Sequence, residues 1–342
     1  MSALAKRTPL VPSRAAKAAG FETGRATMVG HRGRQSTLRR RATVSGIGVH
    51  SGREVSLTLH PAEADSGVTF FRTNVEGGRD REIPANYRHV NATDLCTSVG
   101  VPGATVATIE HLMAALSALD VDNAMVEIDG PEVPVMDGSA GAFIAAVDSA
   151  GVAGLDAPLR YIKVLKPVRV EIGESFAEFT PYNGRRIEVA IDFANSLIGR
   201  QQFSADIESE SFRRDIARAR TFGFLAEVEQ LWARGFALGA SLENAVVIGD
   251  DRVINPEGLR FSDEFVRHKV LDAVGDLALA GAPILGCYRS YRGGHKLNFK
   301  ALEALIADEG AWTWVEMPVR REAGRADLGV GIGVAAYGPD VS

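Results

Sequence analysis

Polar and apolar residues alternate over 53–60 (REVSLTLH), the two-residue period of a half-buried strand, and GVTFFR at 67–72 reads as a second strand. Ordered structure is expected from near Thr43. Over 108–119 the period becomes that of a helix. Ile109, Leu112, Met113 and Leu116 share one apolar face, and Thr108 is placed to cap the start. A strand at 123–128 follows, then the loop DGPEVPVMDGS and a helix of small residues over 139–149, with Asp137 or Ser139 near its cap. The second half predicts strands at 161–172, 175–182 and 185–193, rich in β-branched and aromatic residues. A helix over 263–279, a strand near 284–288, a tight turn at Gly293 and Gly294, and a helix over 297–307 complete it.

Helix, strand, loop and helix thus occur once in each half, although no residue-level repeat is visible. The pattern predicts an α+β fold of two topologically similar domains, each a β-sheet packed with helices, over 36–157 and 161–340. Residues 220–248 break the shared order and read as an insertion in the second domain, of a kind that often covers an active site.

Composition agrees with that picture. A chain of 342 residues suits two domains at roughly 100–200 residues each. Hydrophobic residues at 46% and charged residues at 24% exclude wholesale disorder. No apolar run approaches the roughly 18 residues that would span a bilayer, which excludes a transmembrane helix. Cys96 and Cys287 are too few for a disulfide framework or a cysteine-rich metal site, and they fit a reducing compartment, so a cytoplasmic location is expected.

Charge is uneven. Residues 1–41 hold ten Lys and Arg against the single acid Glu22, so the remaining chain carries −14 of a net −5. Such a body is a poor platform for phosphate backbones, and no nucleic-acid partner is expected. Residues 1–35 lack the apolar core of a secretory signal and read as a disordered basic arm, with a misassigned start as one origin. Their arginine-rich, acid-poor composition also matches an organellar transit peptide, and a functional binding arm is the third reading.

Three segments carry candidate chemistry. On a helix His268, Asp272 and Asp276 are four apart and form one stripe, while Val266, Val270, Val274 and Leu277 form another on roughly the opposite side. His-x3-Asp presents an imidazole and a carboxylate one turn apart, two-thirds of a common zinc site. Glu110 and His111 lie in the first turn of the 108–119 helix, where His111 could bind a metal and Glu110 reach the space beside it as a base. His295 sits on the Gly293-Gly294 turn just before a helix. Each has a plainer and commoner reading alone: a solvated polar face, an exposed capping pair, an ordinary turn histidine. The His-Glu-x-x-His helix of zinc proteases is absent. Together the three segments make one coherent site, and spacing leaves open a zinc hydrolase, a metal-free binding protein and a structural metal site. His31 lies in the basic arm, and His50, His60 and His89 show no partner pattern, so these four read as structural or surface residues.

TIEHL (108–112), PEVPVMDGSA (131–140), RARTFGF (218–224), GLRFSDEFVRHKVLDAVGDL (258–277) and GGHKLN (293–298) resemble, in order and spacing, the signature segments of the UDP-3-O-acyl-N-acetylglucosamine deacetylases. The resemblance runs from about Ser36 to near Tyr337. That family performs the committed step of lipid A synthesis in Gram-negative bacteria, removing acetate from the 2-acetamido group of a UDP-sugar. The resemblance implies an active site between two similar domains. It implies one catalytic Zn2+, with Fe2+ an alternative in the cell, held by His111, His268 and Asp272. By the same likeness Glu110 is the general base, His295 the general acid, Asp276 the carboxylate that orients His295, and Thr221 the hydroxyl for the oxyanion. Phe222 and Phe224 lie near the substrate, Lys269 meets the phosphates, and Gly239 and Ser241 belong to the substrate-binding set in the insertion that forms the acyl passage. The implied partner is the small-molecule substrate alone, and a monomer is expected. A zinc deacetylase of another N-acyl sugar and a non-catalytic nucleotide-sugar-binding protein are the alternatives. Two departures stand out: the basic arm precedes the usual start, and Ala240 occupies a position where a second glycine is expected, which leaves acyl-length preference open. Cys96, in LCTS, matches a cysteine that relatives carry near the site, with no ligation implied.

Overall fold

The computed structural model describes residues 32–75 and 80–317. Its α+β architecture is built twice. In the first half, strands Ala42–Ile47, Glu54–Pro61, Ala124–Ile128, Val68–Arg72 and Arg81–Pro84 lie side by side in that order. Neighbours are antiparallel except the third and fourth, which are parallel. In the second half, strands Val168–Ile172, Ser175–Thr180, Ile284–Tyr291, Arg185–Asp192 and Arg200–Asp206 take the same five places with the same directions. Each half also pairs its first and last strands antiparallel: Arg34–Leu38 with Val152–Pro158, and Arg160–Val164 with Trp312–Glu316. The strands obey the alternation read from the chain, since Val55, Leu57 and Leu59 are buried while Ser56 and Thr58 between them are not.

A parallel pair needs a crossover, and here it is helical. Six α-helices lie among the described residues: α1 (Glu110–Ala118), α2 (Gly141–Ala150), α3 (Ser209–Asp215), α4 (Val228–Ala233), α5 (Glu264–Ala278) and α6 (His295–Ala307). Helices α1 and α5 precede the central strands of their halves and α2 and α6 follow them. Helices α1 and α5 pack on each other, while α2, α5 and α6 also pack on strands of their own half. Helices therefore lie between two sheets, and one connected apolar cluster spans both halves. The expected apolar faces are the ones buried: Ile109, Leu112, Met113 and Leu116 on α1, and Val266, Val270, Val274 and Leu277 on α5.

Several expectations are corrected. Order does not wait for Thr43: Arg32 pairs with Asp122 at 3.0 Å, Gln35 is buried, and Arg34–Leu38 is a strand. The basic arm read as residues 1–35 therefore loses 32–35 to the folded body, and 1–31 lie outside the described residues. The single strand expected at 161–172 is two, because Pro167 cannot donate to a ladder, and the pieces join different neighbours. Thr108 does not cap α1. It has a positive φ of 57°, its hydroxyl donates to Glu132 Oε1 at 2.9 Å, and Ile109 holds the N-cap position of α1 with no side-chain cap. A second break in the repeat has no counterpart in the sequence pattern: the three-stranded sheet of Val90–Ala92, Ser98–Val101 and Ala104–Val106 in the first half. The break expected at 220–248 holds α4 and the parallel pair Phe222–Phe224 with Val246–Ile248.

Candidate metal centre and active site

The start of α1 meets the last turn of α5 at Gly275. A Cβ at that position would lie 2.0 Å from the backbone oxygen of Glu110, so only a residue without one permits the approach. Contact this close sets Glu110 and His111 beside the stripe of His268, Asp272 and Asp276, and all five are buried.

His111, His268 and Asp272 each offer one ligand atom, and these atoms lie within 4.8 Å of one another. Asp272 Oδ1 is 3.3 Å from His268 Nε2 and 3.6 Å from His111 Nε2, and the two imidazoles stand nearly perpendicular with centroids 5.0 Å apart. Asp272 Oδ1 is fully buried and has no hydrogen-bond partner, an unfavourable state for a carboxylate oxygen. Its other oxygen accepts from Lys269 Nζ at 2.6 Å. His268 Nδ1 lies 3.1 Å from the carbonyl of Ala219, which calls for the proton on Nδ1 and leaves the Nε2 lone pair facing the group. Burial pushes His268 down to about 3, so its imidazole is neutral, the form a metal binds. Burial works against ionisation of Asp272, but His268, Lys269 and His111 outweigh it and hold its carboxyl well below the usual range. Two imidazoles, that of His268 neutral, and one anionic oxygen that makes no hydrogen bond fit a divalent cation.

Beside this group stand Glu110 and His295. Glu110 Oε2 accepts from the backbone N–H of Thr97 at 3.1 Å, and Oε1 lies 4.0 Å from His295 Nε2. Burial raises the pKa of Glu110, against the pull of His295 and His111. His295 is the first residue of α6, and its Nδ1 lies 2.9 Å from Asp276 Oδ2. Burial opposes charge on His295, but Asp276 and then Glu110 outweigh it and lift it to about 9. Asp276 also accepts from Thr97 Oγ1 at 2.6 Å and Asn298 Nδ2 at 2.8 Å, and Tyr288 donates its hydroxyl to Asn298 Oδ1 at 2.6 Å. A buried carboxylate and a protonated imidazole thus flank a three-ligand group, an arrangement equipped for metal-assisted hydrolysis.

The other expected residues are spread more widely. Phe222 lies edge-on to Phe265 at 5.0 Å and to His268 at 6.2 Å, while Phe224 packs on Phe193 at 6.0 Å. Thr221 follows Ala219 by two residues, with its N–H donating to Gly138 and its carbonyl accepting from Val246. Lys269 directs its ammonium to Asp272, and its nitrogen lies 5.7 Å from the centre of the Phe222 ring. Gly239 docks on the turn after Ile47, where its N–H donates to Val49 and a Cβ would meet the Gly48 oxygen at 2.4 Å. Ser241 donates its hydroxyl to the exposed Glu243, away from the metal group's own hydrogen bonds. Cys96 is a buried thiol pushed up to about 12, chiefly by burial and then by Glu110.

Four residues near the centre lie outside the set of site residues that the sequence implies. Thr97 and Asn298 hold Asp276. Glu132 accepts from the backbone of His50 and Ser51 at 2.9 Å and from Thr108. His50, read as structural or surface, stands close enough to His295 for the two charges to oppose each other. Thr97, Asn298 and Glu132 fall inside motifs quoted above, and that was their only signal.

Fold and site together describe a hydrolase built on a doubled α+β frame. Residues 35–307 match the family model described as UDP-3-O-acyl N-acetylglycosamine deacetylase, and the chain belongs to that family. It is 56% identical over 283 residues to the UDP-3-O-acyl-N-acetylglucosamine deacetylases of Brucella ovis and Brucella abortus (strain 2308), a stretch covering 82% of this chain and 98% of each relative. The enzyme of that name from Brucella melitensis biotype 2 is 55% identical over the same shares.

Proposed function

We propose that this protein hydrolyses the acetamide of UDP-3-O-acyl-N-acetylglucosamine, releasing acetate, as a Zn2+-dependent step of lipid A biosynthesis. The observation that carries the metal part is the buried Oδ1 of Asp272, which makes no hydrogen bond and faces two imidazole nitrogens. His111, His268 and Asp272 would hold the cation, which supplies Lewis acidity toward the water and the amide carbonyl when bound. Fe2+ suits the same donors. Glu110 takes a proton from the attacking water through Oε1, the oxygen free of the Thr97 hydrogen bond. His295, protonated through its contact with Asp276, gives a proton to the departing nitrogen. Thr221 donates to the oxyanion, and Phe222 and Phe224 border the substrate. Lys269 acts chiefly by keeping Asp272 ionised and adding positive potential for the phosphates. Gly239 positions the 237–239 segment on the first half, and Ser241 lies on the same loop. Two free, buried cysteines support a reducing compartment such as the cytoplasm, and no helix among the described residues is long and apolar enough to cross a membrane.

The test is acetate release from the UDP-acyl-sugar by protein of measured metal content. One tightly bound zinc per chain and turnover abolished by chelation are expected. Full turnover by metal-stripped protein would overturn the metal role, and no acetate from the metal-loaded protein would overturn the deacetylase reading.

A further inference from the structure

Resting on the deacetylase reading, we propose that Thr97 is a positioning residue that holds the proton acceptor Glu110 and the Asp276-His295 donor pair in register across the junction of the two halves. Thr97 precedes the strand Ser98–Val101 of the first half's extra sheet and is 1% exposed. All three of its polar groups are engaged at the site. Its N–H donates to Glu110 Oε2 at 3.1 Å, its carbonyl accepts from Ile109 at the start of α1 at 3.2 Å, and its hydroxyl donates to Asp276 Oδ1 at 2.6 Å. Among the described residues no other hydrogen bond reaches the Glu110 carboxylate.

The choice of residue follows from the charges it joins. Glu110 and Asp276 are both acidic and come from different halves, so two carboxylates must be kept near each other in a buried space. A neutral side chain that donates to one, while its own backbone donates to the other, does this without adding charge. It also decides which oxygen does what. With Oε2 tied to Thr97, Glu110 turns Oε1 toward His295 Nε2. With Oδ1 tied to Thr97, Asp276 keeps Oδ2 for His295 and Asn298. A misplacement of about 1 Å in such a pair can slow a reaction roughly 10²-fold.

Thr97→Val removes the hydroxyl but keeps the shape and the N–H, and Thr97→Ser keeps the hydroxyl. We expect Thr97→Val to lose roughly 10–10²-fold in kcat with KM and zinc content unchanged, and Thr97→Ser to stay within about threefold of wild type. An NMR titration of the His295 imidazole separates positioning from simple packing. Without the hydroxyl, the charge on Asp276 is no longer shared with Thr97, so the His295 pKa should move upward in Thr97→Val and stay put in Thr97→Ser. If Thr97→Val does not fold, Thr97→Ala against Thr97→Ser makes the same comparison. Equal kcat and equal titration with and without the hydroxyl would overturn the proposal, as would a serine variant as impaired as the valine one. Absence of acetate release by wild type would instead sink the deacetylase reading, and the titration would still decide whether Thr97 acts on the Asp276-His295 pair.

Discussion

His295 Nδ1 lies 2.9 Å from Asp276 Oδ2, and that contact determines the charge of the imidazole. Burial disfavours the cation, yet Asp276, reinforced by Glu110, lifts His295 from its ordinary 6.5 to about 9. Folding therefore gains stability from the protonated imidazole that is fully present below pH 6.5 and is lost as pH rises through about 9. The same protonation serves a proton donor, so turnover should fall on the alkaline side. A cation bound in the neighbouring site would pull that limb lower. His295→Ala should keep its metal, lose roughly 10²–10⁴-fold in kcat, and show a flatter stability profile across this window. Rate and unfolding profiles against pH check it, and near-normal turnover with an unchanged alkaline limb would remove His295 from the mechanism.

Glu110→Gln should lose turnover over the same rough range of 10²–10⁴-fold while retaining zinc, since the carboxylate is not among the three converging ligands. Combined with His295→Ala, the loss should be far less than additive, because both groups serve one proton-transfer scheme. Steady-state kinetics with metal analysis on the single and double variants tests this. Additive losses would show two independent roles.

His111→Ala, His268→Ala and Asp272→Ala should each abolish tight zinc binding along with activity. The helices should survive, since Val266, Val270 and Val274 anchor α5 from its other side. Zinc should therefore raise the thermal midpoint of wild type, by linkage, and leave these variants unmoved. A variant that kept stoichiometric zinc and normal turnover would lose its place as a ligand.

Gly275→Ala should fail in both stability and metal binding. Its methyl would sit 2.0 Å from backbone that no rotamer can move, forcing α1 and α5 apart. Overpacking of this kind costs roughly 1–3 kcal/mol. Gly154→Ala, where a Cβ meets nothing within 4 Å, is the control and should leave both unchanged. Thermal unfolding and zinc titration of the pair decide the matter; equal behaviour would mean the helix approach is not limiting.

Arg220 is 2% exposed, and its Nε lies 2.9 Å from the fully buried Glu264 at the start of α5. Its further bonds to Glu257 and the Gly258 carbonyl pin the segment whose Ala219 carbonyl orients His268. Arg220→Ala leaves the Glu264 carboxylate with backbone donors alone, from residues 220 and 260, a loss of up to roughly 3–5 kcal/mol for a broken buried pair. It should also weaken zinc affinity, read by competition with a chelating dye. Lost stability with unchanged affinity would separate Arg220 from the metal site.

Much of this molecule follows from local pattern. Alternation at Val55, Leu57 and Leu59 makes a strand whose buried face needs no knowledge of its neighbours. The four-residue spacing of His268, Asp272 and Asp276 makes one stripe on any helix that forms there, which is why this cluster of polar groups on α5 was legible in the chain. A period names a face but not what the face meets. That α1 should lie on α5 depends on Gly275, a residue that in sequence is only a poor helix former. Thr97 and Asp276 are 179 positions apart, and neither carries a sign of the other. Thr108 looks like a cap until Glu132, 24 positions on, takes its hydroxyl. The doubling of the fold was visible only as an order of elements, because each half keeps its hydrogen-bonded framework through backbone groups that any sequence with the right alternation supplies. Local periodicity therefore set the elements and the chemical groups, while close packing across the two halves decided which groups converge and in what state of charge.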